Sequence, residues 1–341
     1  MNRTVTDLRQ RVRKPAFVRG RALACAGLLA IPLTVAAQGW KPDHNVEFVS
    51  PSGAGGGSDR VVRAIDQALH NNKLIEVTTT VVNKPGAGGD IAWKWLNQNG
   101  AGGHHISLMT GNLLTNHISG RSTLHYTDLT CIAQLFSEAS GLAVRADSPI
   151  QGGKELLAIL KENAASLSVA VGTAFGGSGH ITIALATKSA GGDAKKLKTV
   201  VFPAFSNALA ALLGGHIDAV LNPHSSLIPH VASGKIRALA VSTPERVGGA
   251  LAQVPSFKEL GADVHVEAFR AIVGAKAMTP EQVAYWEGVM KKMSETAEWK
   301  QNVERRGWIA KFAGSKDCSE GLKMHYGLMR EGLAELGLAK N

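Results

Sequence analysis

The stretch Val46-Glu47-Phe48-Val49-Ser50-Pro51-Ser52-Gly53-Ala54-Gly55-Gly56-Gly57-Ser58-Asp59 decides how the chain is read. Val46 to Ser50 is a short apolar strand, and the residues beyond Asp59 place Val61, Val62, Ile65, Ala68 and Leu69 at helical spacing. The glycine-rich stretch between them is therefore a strand-to-helix loop, with Ser58 or Asp59 placed to cap the helix. Such a start leaves the first backbone N–H groups free to face a ligand, and loops of this kind bind anions.

The unit recurs along the chain. Residues 77–82 read as the next strand, Asn83-Lys84-Pro85-Gly86-Ala87-Gly88-Gly89 as a turn, and Ile91, Trp95 and Leu96 as the helix after it. Further strands fall at 106–110, 142–144, 167–171, 200–202, 217–221 and 236–241. Regular alternation of strand and helix predicts mainly parallel sheets with helices on their faces. A second glycine-rich loop, Gly172-Thr173-Ala174-Phe175-Gly176-Gly177-Ser178-Gly179-His180, precedes a helix at 181–188. Ser206-Asn207 begins a helix that Gly214-Gly215 stops. Thr279-Pro280-Glu281-Gln282 is a capping box with proline at the first helical position. Val283, Trp286, Met290 and Met293 follow it at helical spacing and read as core, and 299–338 also reads as helical. Two anion loops in separate halves suit a clamshell around a ligand with two carboxylates. The pattern alone fits equally well two tight turns in any α/β protein.

Composition narrows the function classes. A chain of 341 residues, 45% hydrophobic and 19% charged, is more naturally two domains than one. Residues 1–37 hold seven bases (Arg3, Arg9, Arg11, Arg13, Lys14, Arg19, Arg21) against Asp7, which is +6 of the formal +10 and leaves +4 beyond them. The uncharged run 22–37 is shorter than the ~20 residues a spanning helix needs, and Ala36 and Ala37 suit a peptidase cut before Gln38. This segment reads as a secretory signal. Cys25 precedes the apolar run instead of following it, which argues against a lipoprotein. Only Cys131 and Cys318 then remain, and an oxidising compartment permits them to pair without the sequence requiring it. No basic stripe is interleaved with aromatics, so nucleic acid is not the expected partner, whereas an anionic small molecule suits the charge.

Enzyme signals are missing. The glycines are not followed by Gly-Lys-Ser/Thr, and Gly176-Gly177-Ser178-Gly179-His180 is no Gly-x-Ser-x-Gly elbow. Ser58 stands where a dinucleotide fingerprint has its last glycine, and Glu76 starts a strand instead of ending one. His104, His105, His216, His224 and His230 lack the usual metal spacings. Asp59 and Asp218 are explained by a helix start and an exposed strand position. No catalytic residue, cofactor or metal is expected.

The glycine loop with Ser58, Asp59 and Arg63, the run Val82-Asn83-Lys84-Pro85-Gly86-Ala87-Gly88-Gly89, the run Ala146-Asp147-Ser148-Pro149 and the second loop resemble the Bug or TctC-like receptors of tripartite tricarboxylate transporters. So do Ala208-Leu209-Ala210-Ala211-Leu212-Leu213-Gly214-Gly215-His216-Ile217-Asp218 and Ser233-Gly234-Lys235-Ile236-Arg237-Ala238-Leu239-Ala240-Val241-Ser242. The resemblance implies an α/β type II periplasmic binding protein, two α/β lobes joined by a hinge with the ligand cleft between them. Lobe one is then 38–144 plus 267–341 and lobe two is 145–266. It also implies that backbone N–H groups and water from the two loops hold a carboxylate. That maps onto Ser52, Gly56, Gly57, Ser58, Asp59, Thr173, Gly177, Ser178 and His180, with Thr110, Asn112, Phe205 and Ser206 as a further set.

Pro203-Ala204-Phe205-Ser206 and Asn222-Pro223-His224 depart from the commoner family pattern, which leaves the ligand open. Small di- or tricarboxylates are favoured, with aromatic acids and amino acids as alternatives. The partners implied are one small and one large inner-membrane permease subunit, for a monomeric periplasmic receptor. A sensory receptor would use the same clamshell, and an enzyme holding a phosphate on the first loop is the alternative of another class.

Overall fold

The structure is a computed structural model that describes residues 39–172, 175–202 and 204–340. The signal expected at 1–37 and the expected contact Thr173 lie outside them.

Val46–Ser50 (β1), Gly57–Asn71 (α1), Thr79–Asn83 (β2), Asp90–Asn99 (α2), His105–Met109 (β3) and Asn112–Ile118 (α3) alternate strand and helix. A long strand, Leu129–Arg145 (β4), follows. Alternation resumes with Gly153–Glu162 (α4), Ser168–Gly172 (β5), Ser178–Ser189 (α5), Lys198–Phe202 (β6), Phe205–Leu213 (α6), Ala219–Pro223 (β7), His224–Ala232 (α7) and Ile236–Val241 (β8). Glu267–Ala275 (β9), Pro280–Glu295 (α8), Ala297–Arg306 (α9), Ile309–Ala313 (β10) and Ser315–Glu335 (α10) complete the order.

Two parallel triplets form the frame. β1 lies between β2 and β3, and β5 lies between β6 and β7, all parallel. Each glycine-rich loop therefore leaves the carboxyl end of the middle strand of its triplet, where α/β sheets place ligands. Outside the triplets the pairing is antiparallel: β9 on β3 and β4, and β7, β8 and β10 on β4. The expectation of mainly parallel sheets is corrected accordingly. The strand expected at 142–144 is only the end of β4, and β10 interrupts the tail that reads as helical.

β4 has 17 residues and a span of about 55 Å. It pairs with β9 from Leu129 to Ala139 and with β7 from Ser140 to Val144, so one strand serves two sheets. Residues 140–144 thus pair in the second sheet. Beside the switch the chain passes twice more. Ser140 N–H donates to Ser242 Oγ at 2.8 Å, Ser242 N–H to Ser140 O at 2.9 Å, and Val266 N–H to Ser242 O at 3.1 Å. All three residues are buried, so these bonds satisfy backbone groups that water does not reach.

The core behaves as its spacing predicts. Trp286, Met290 and Met293 on α8 are fully buried, and Trp286 Nε1–H donates to Gly103 O at 2.8 Å. The capping box at Thr279 is formed in both directions. In Pro85-Gly86-Ala87-Gly88-Gly89 the last four residues all have positive φ, at 129°, 46°, 65° and 102°. A Cβ at Gly89 would run into the Trp93 ring. The most specific stretch of the sequence is thus mainly a turn that seats α2 on its strand.

Cys131 on β4 and Cys318 on α10 form a disulfide with Cα atoms 6.0 Å apart, closing a loop of sequence separation 187. A loop of that length restricts the unfolded chain strongly. Reduction, or Cys318→Ser, is expected to lower the unfolding free energy by roughly 2–5 kcal/mol. An unchanged urea midpoint in reductant would contradict the bond.

Candidate functional site

The two glycine loops are built alike. Gly56 caps α1 with φ −68° and ψ 170°, and Gly177 caps α5 with φ −70° and ψ 168°, neither with a side-chain cap. Gly55 and Gly176, just before them, have φ 75° and 76°, a conformation glycine adopts without strain. At the third helical position a side chain reaches back four residues to fasten the loop: Asp59 Oδ2 accepts from Gly55 N–H at 2.8 Å, and His180 Nδ1 accepts from Gly176 N–H at 3.0 Å. Neither Ser58 nor Asp59 is the cap, as the sequence suggests; both lie inside α1. The result is two helices whose first N–H groups are left to the cleft, with the positive ends of their dipoles behind them.

The two fasteners carry different charge. Asp59 is buried, which alone would raise its pKa, but Arg63 at 3.0 Å, Asn83 at 2.8 Å and the Gly55 N–H outweigh burial and hold it below the ordinary carboxylate range. The anion is thereby neutralised by Arg63 and kept off the cleft. His180 is 4% exposed, and burial lowers its pKa to about 4, which keeps Nδ1 free to accept.

A cavity of about 580 Å³ opens between the loops. Ser52, Gly57, Ser58, Thr110, Asn112, Gly177, Ser178 and Phe205 of the expected set line it. Gly56, Asp59 and His180 do not; they shape the loops from behind. A Cβ at Gly56 would come within 2.7 Å of Ser52 Oγ, and Ser52 Oγ in turn accepts from Asp59 N–H at 3.1 Å. Ser206 is exposed on α6 outside the lining.

The floor and far wall come from residues that sequence reasoning missed. Glu138 on β4 and Arg270 on β9 form an ion pair of 3.1 Å with side chains 12% and 17% exposed. Glu267 begins β9 and accepts from the Ser137 hydroxyl and from His265 at 2.8 Å. Burial pushes the Glu267 carboxyl up, yet His265 and Ser137 prevail and bring its pKa down to about 2. His325 of α10 packs edge-on against Phe269, and burial lowers its pKa to about 4. Arg305, Arg306 and Trp308 close the wall on the side of the first loop. Among the described residues, three lining side-chain atoms are buried without a hydrogen-bond partner: Asn222 Oδ1, Arg306 Nε and His325 Nδ1. Polar atoms left in this state are normally satisfied by water or by a ligand.

Asp218 is exposed and fastens the start of β5 by accepting from Ser168 N–H at 2.7 Å. Outside the cleft, Asp43, His44 and His104 bring ligand atoms within 4.8 Å of one another, a grouping that their spacing in sequence conceals.

Comparison with known proteins gives consistent matches. The family model described as "Tripartite tricarboxylate transporter family receptor" matches residues 61–316. A UPF0065 protein of Bordetella bronchiseptica is 28% identical over 301 residues, 83% of each chain. A TctC solute binding protein from Polaromonas, solved without ligand, is 25% identical with a TM-score of 0.75, covering 87% of this chain and all of that one. A protein of R. palustris solved with adipate is 20% identical with a TM-score of 0.73, covering 87% of this chain and 99% of that one.

His180 and His325 set an acid limit on stability. Their folded pKa values, about 4, lie below the ordinary 6.5, so the unfolded chain binds protons that the folded chain refuses, and stability present above pH 6.5 is lost as pH falls towards 4. The variant His180→Asn with His325→Gln is expected to lose less unfolding free energy across that window than wild type. Equal losses in urea titrations would refute the assignment. Removing one partner of the Glu138–Arg270 pair, as in Arg270→Leu, is expected to destabilise by about 3–5 kcal/mol, because it strands a buried charge. A loss below about 1 kcal/mol would show the pair to behave as an exposed one.

Proposed function

The chain belongs to the family of tripartite tricarboxylate transporter receptors, solute-binding proteins of two α/β lobes, and from that premise we propose that it captures a small carboxylate in the periplasm. The observation that supports this best is the pair of helix starts, each with glycine at the N-cap, facing one cavity. Their N–H groups supply donors for an anion at fixed positions, so little ordering is required when it binds.

The magnitudes are sufficient. A carboxylate accepting from the N–H groups of Gly57, Ser58, Ser178 and Gly179 gains about 1.5–3 kcal/mol for each charge-assisted bond. Together these are of the order of the ~8 kcal/mol that a micromolar Kd represents. Di- and tricarboxylates fit best, since donors arrive from two sides, and the R. palustris protein of the same fold was solved with adipate.

In this reading lobe one is 38–144 plus 267–341, lobe two is 145–266, and the Ser140–Ser242–Val266 cluster is the joint about which they close. Closure brings α1 and α5 together on the anion and presents a composite surface to a membrane permease made of a small and a large subunit. The receptor itself carries out no chemistry.

Calorimetric titration of the purified protein with mono-, di- and tricarboxylates tests the reading. A Cβ added at Gly57 meets only open space, so Gly57→Val leaves the unliganded fold intact while obstructing the loop. Gly57→Val and Ser178→Val are each expected to weaken carboxylate binding by about tenfold or more, with the Tm of the unliganded protein nearly unchanged. Normal binding by both variants would remove the loops from the site.

A further inference from the structure

Arg306 ends α9, and Gly307, with φ 65°, turns the chain into Trp308 and β10. Cations in the last turn of a helix are favoured by its dipole, and that accounts for Arg305, whose guanidinium donates to Asn302 Oδ1 at 2.7 Å. It does not account for the placement of Arg306. The Arg306 guanidinium lies over the Trp308 ring, 5.1 Å from its centre, and Trp308 stacks on Phe136 of β4 with centres 3.9 Å apart. Arg306 Nε is buried and makes no hydrogen bond.

Among the described residues, no carboxylate in the cavity answers this charge. Glu138 is occupied by Arg270, and Glu267 by His265 and Ser137. The nearby charges are of the same sign: Arg305, and Arg60 of α1, which is tied to Gly55 O at 2.6 Å. All three arginines line the cavity, as Ser58 does. A guanidinium laid over a tryptophan, partly stripped of water and without an anion, is completed by a ligand that supplies one.

We infer that Arg306, braced by Trp308, is the specificity-determining residue of the cleft and selects ligands that carry an anionic group beyond the carboxylate held by the loops. This rests on the carboxylate-receptor reading and adds to it a residue and a charge requirement. Monocarboxylates use the loop N–H groups alone. Dicarboxylates and tricarboxylates use the loops and the guanidinium fork together.

Matched acids of equal chain length test it: succinate against butyrate and glutarate against pentanoate, titrated into wild type, Arg306→Gln and Arg306→Lys. Wild type is expected to prefer each diacid. Arg306→Gln is expected to weaken diacid binding by about tenfold or more while changing monoacid binding by less than about threefold, with Arg306→Lys between them. The Tm of unliganded Arg306→Gln is expected not to fall, because the substitution removes a partly buried charge that no protein anion answers. An equal loss for mono- and diacids with a lowered Tm would make Arg306 a structural residue. Unchanged diacid binding in the variant would remove the inference and leave the receptor reading standing. Wild type that binds none of the four acids, nor citrate, would overturn both.

Discussion

The cleft depends on how the middle of β4 satisfies its polar groups. A strand that leaves one sheet and enters another must pass through a point where its neighbours change, and buried backbone groups there have no water to turn to. Here the change falls at Ala139 and Ser140. Ser242 supplies the missing partners and is itself held by Val266, while Ser137 and Glu138 reach across to Glu267 and Arg270 on β9. Glu138, Ser140, Glu267 and Arg270 of this group also line the floor of the cavity.

On that floor stand two copies of one device. A middle strand of a parallel triplet ends, a glycine with positive φ turns the chain, a second glycine caps a helix without a side chain, and a third-position side chain fastens the loop from behind. The fasteners differ, one a neutralised carboxylate and the other a neutral imidazole. Neither adds net negative charge to the cleft. The arginines at the end of α9 and the start of α1 add positive charge on one side only, so the cavity is electrically lopsided and offers an extended anion a direction.

The repeated device was legible in the sequence because its signals are local: a β-branched strand, a run of glycines, then apolar residues at helical spacing. Ser52, Gly57, Ser58, Gly177 and Ser178 are met as lining residues for that reason. β4 and β9 were not legible, and the cause is physical. Ser137, Glu138 and Ser140 break the apolar run of β4, as Glu267 and Arg270 break that of β9, and these residues bond to a distant segment or face the cavity. Their partners lie more than a hundred residues away, beyond any window of periodicity. Arg306 was hidden likewise: as a base at a helix end it is commonplace, and only the Trp308 ring and its buried Nε distinguish it.

The most direct test is a crystal structure of the protein with the tightest-binding carboxylate. The expected result is carboxylate oxygens within hydrogen-bond distance of backbone N–H groups at the starts of both α1 and α5. A ligand bound elsewhere, or held in this cleft by side chains while both helix starts remain unengaged, would contradict the role given to the loops.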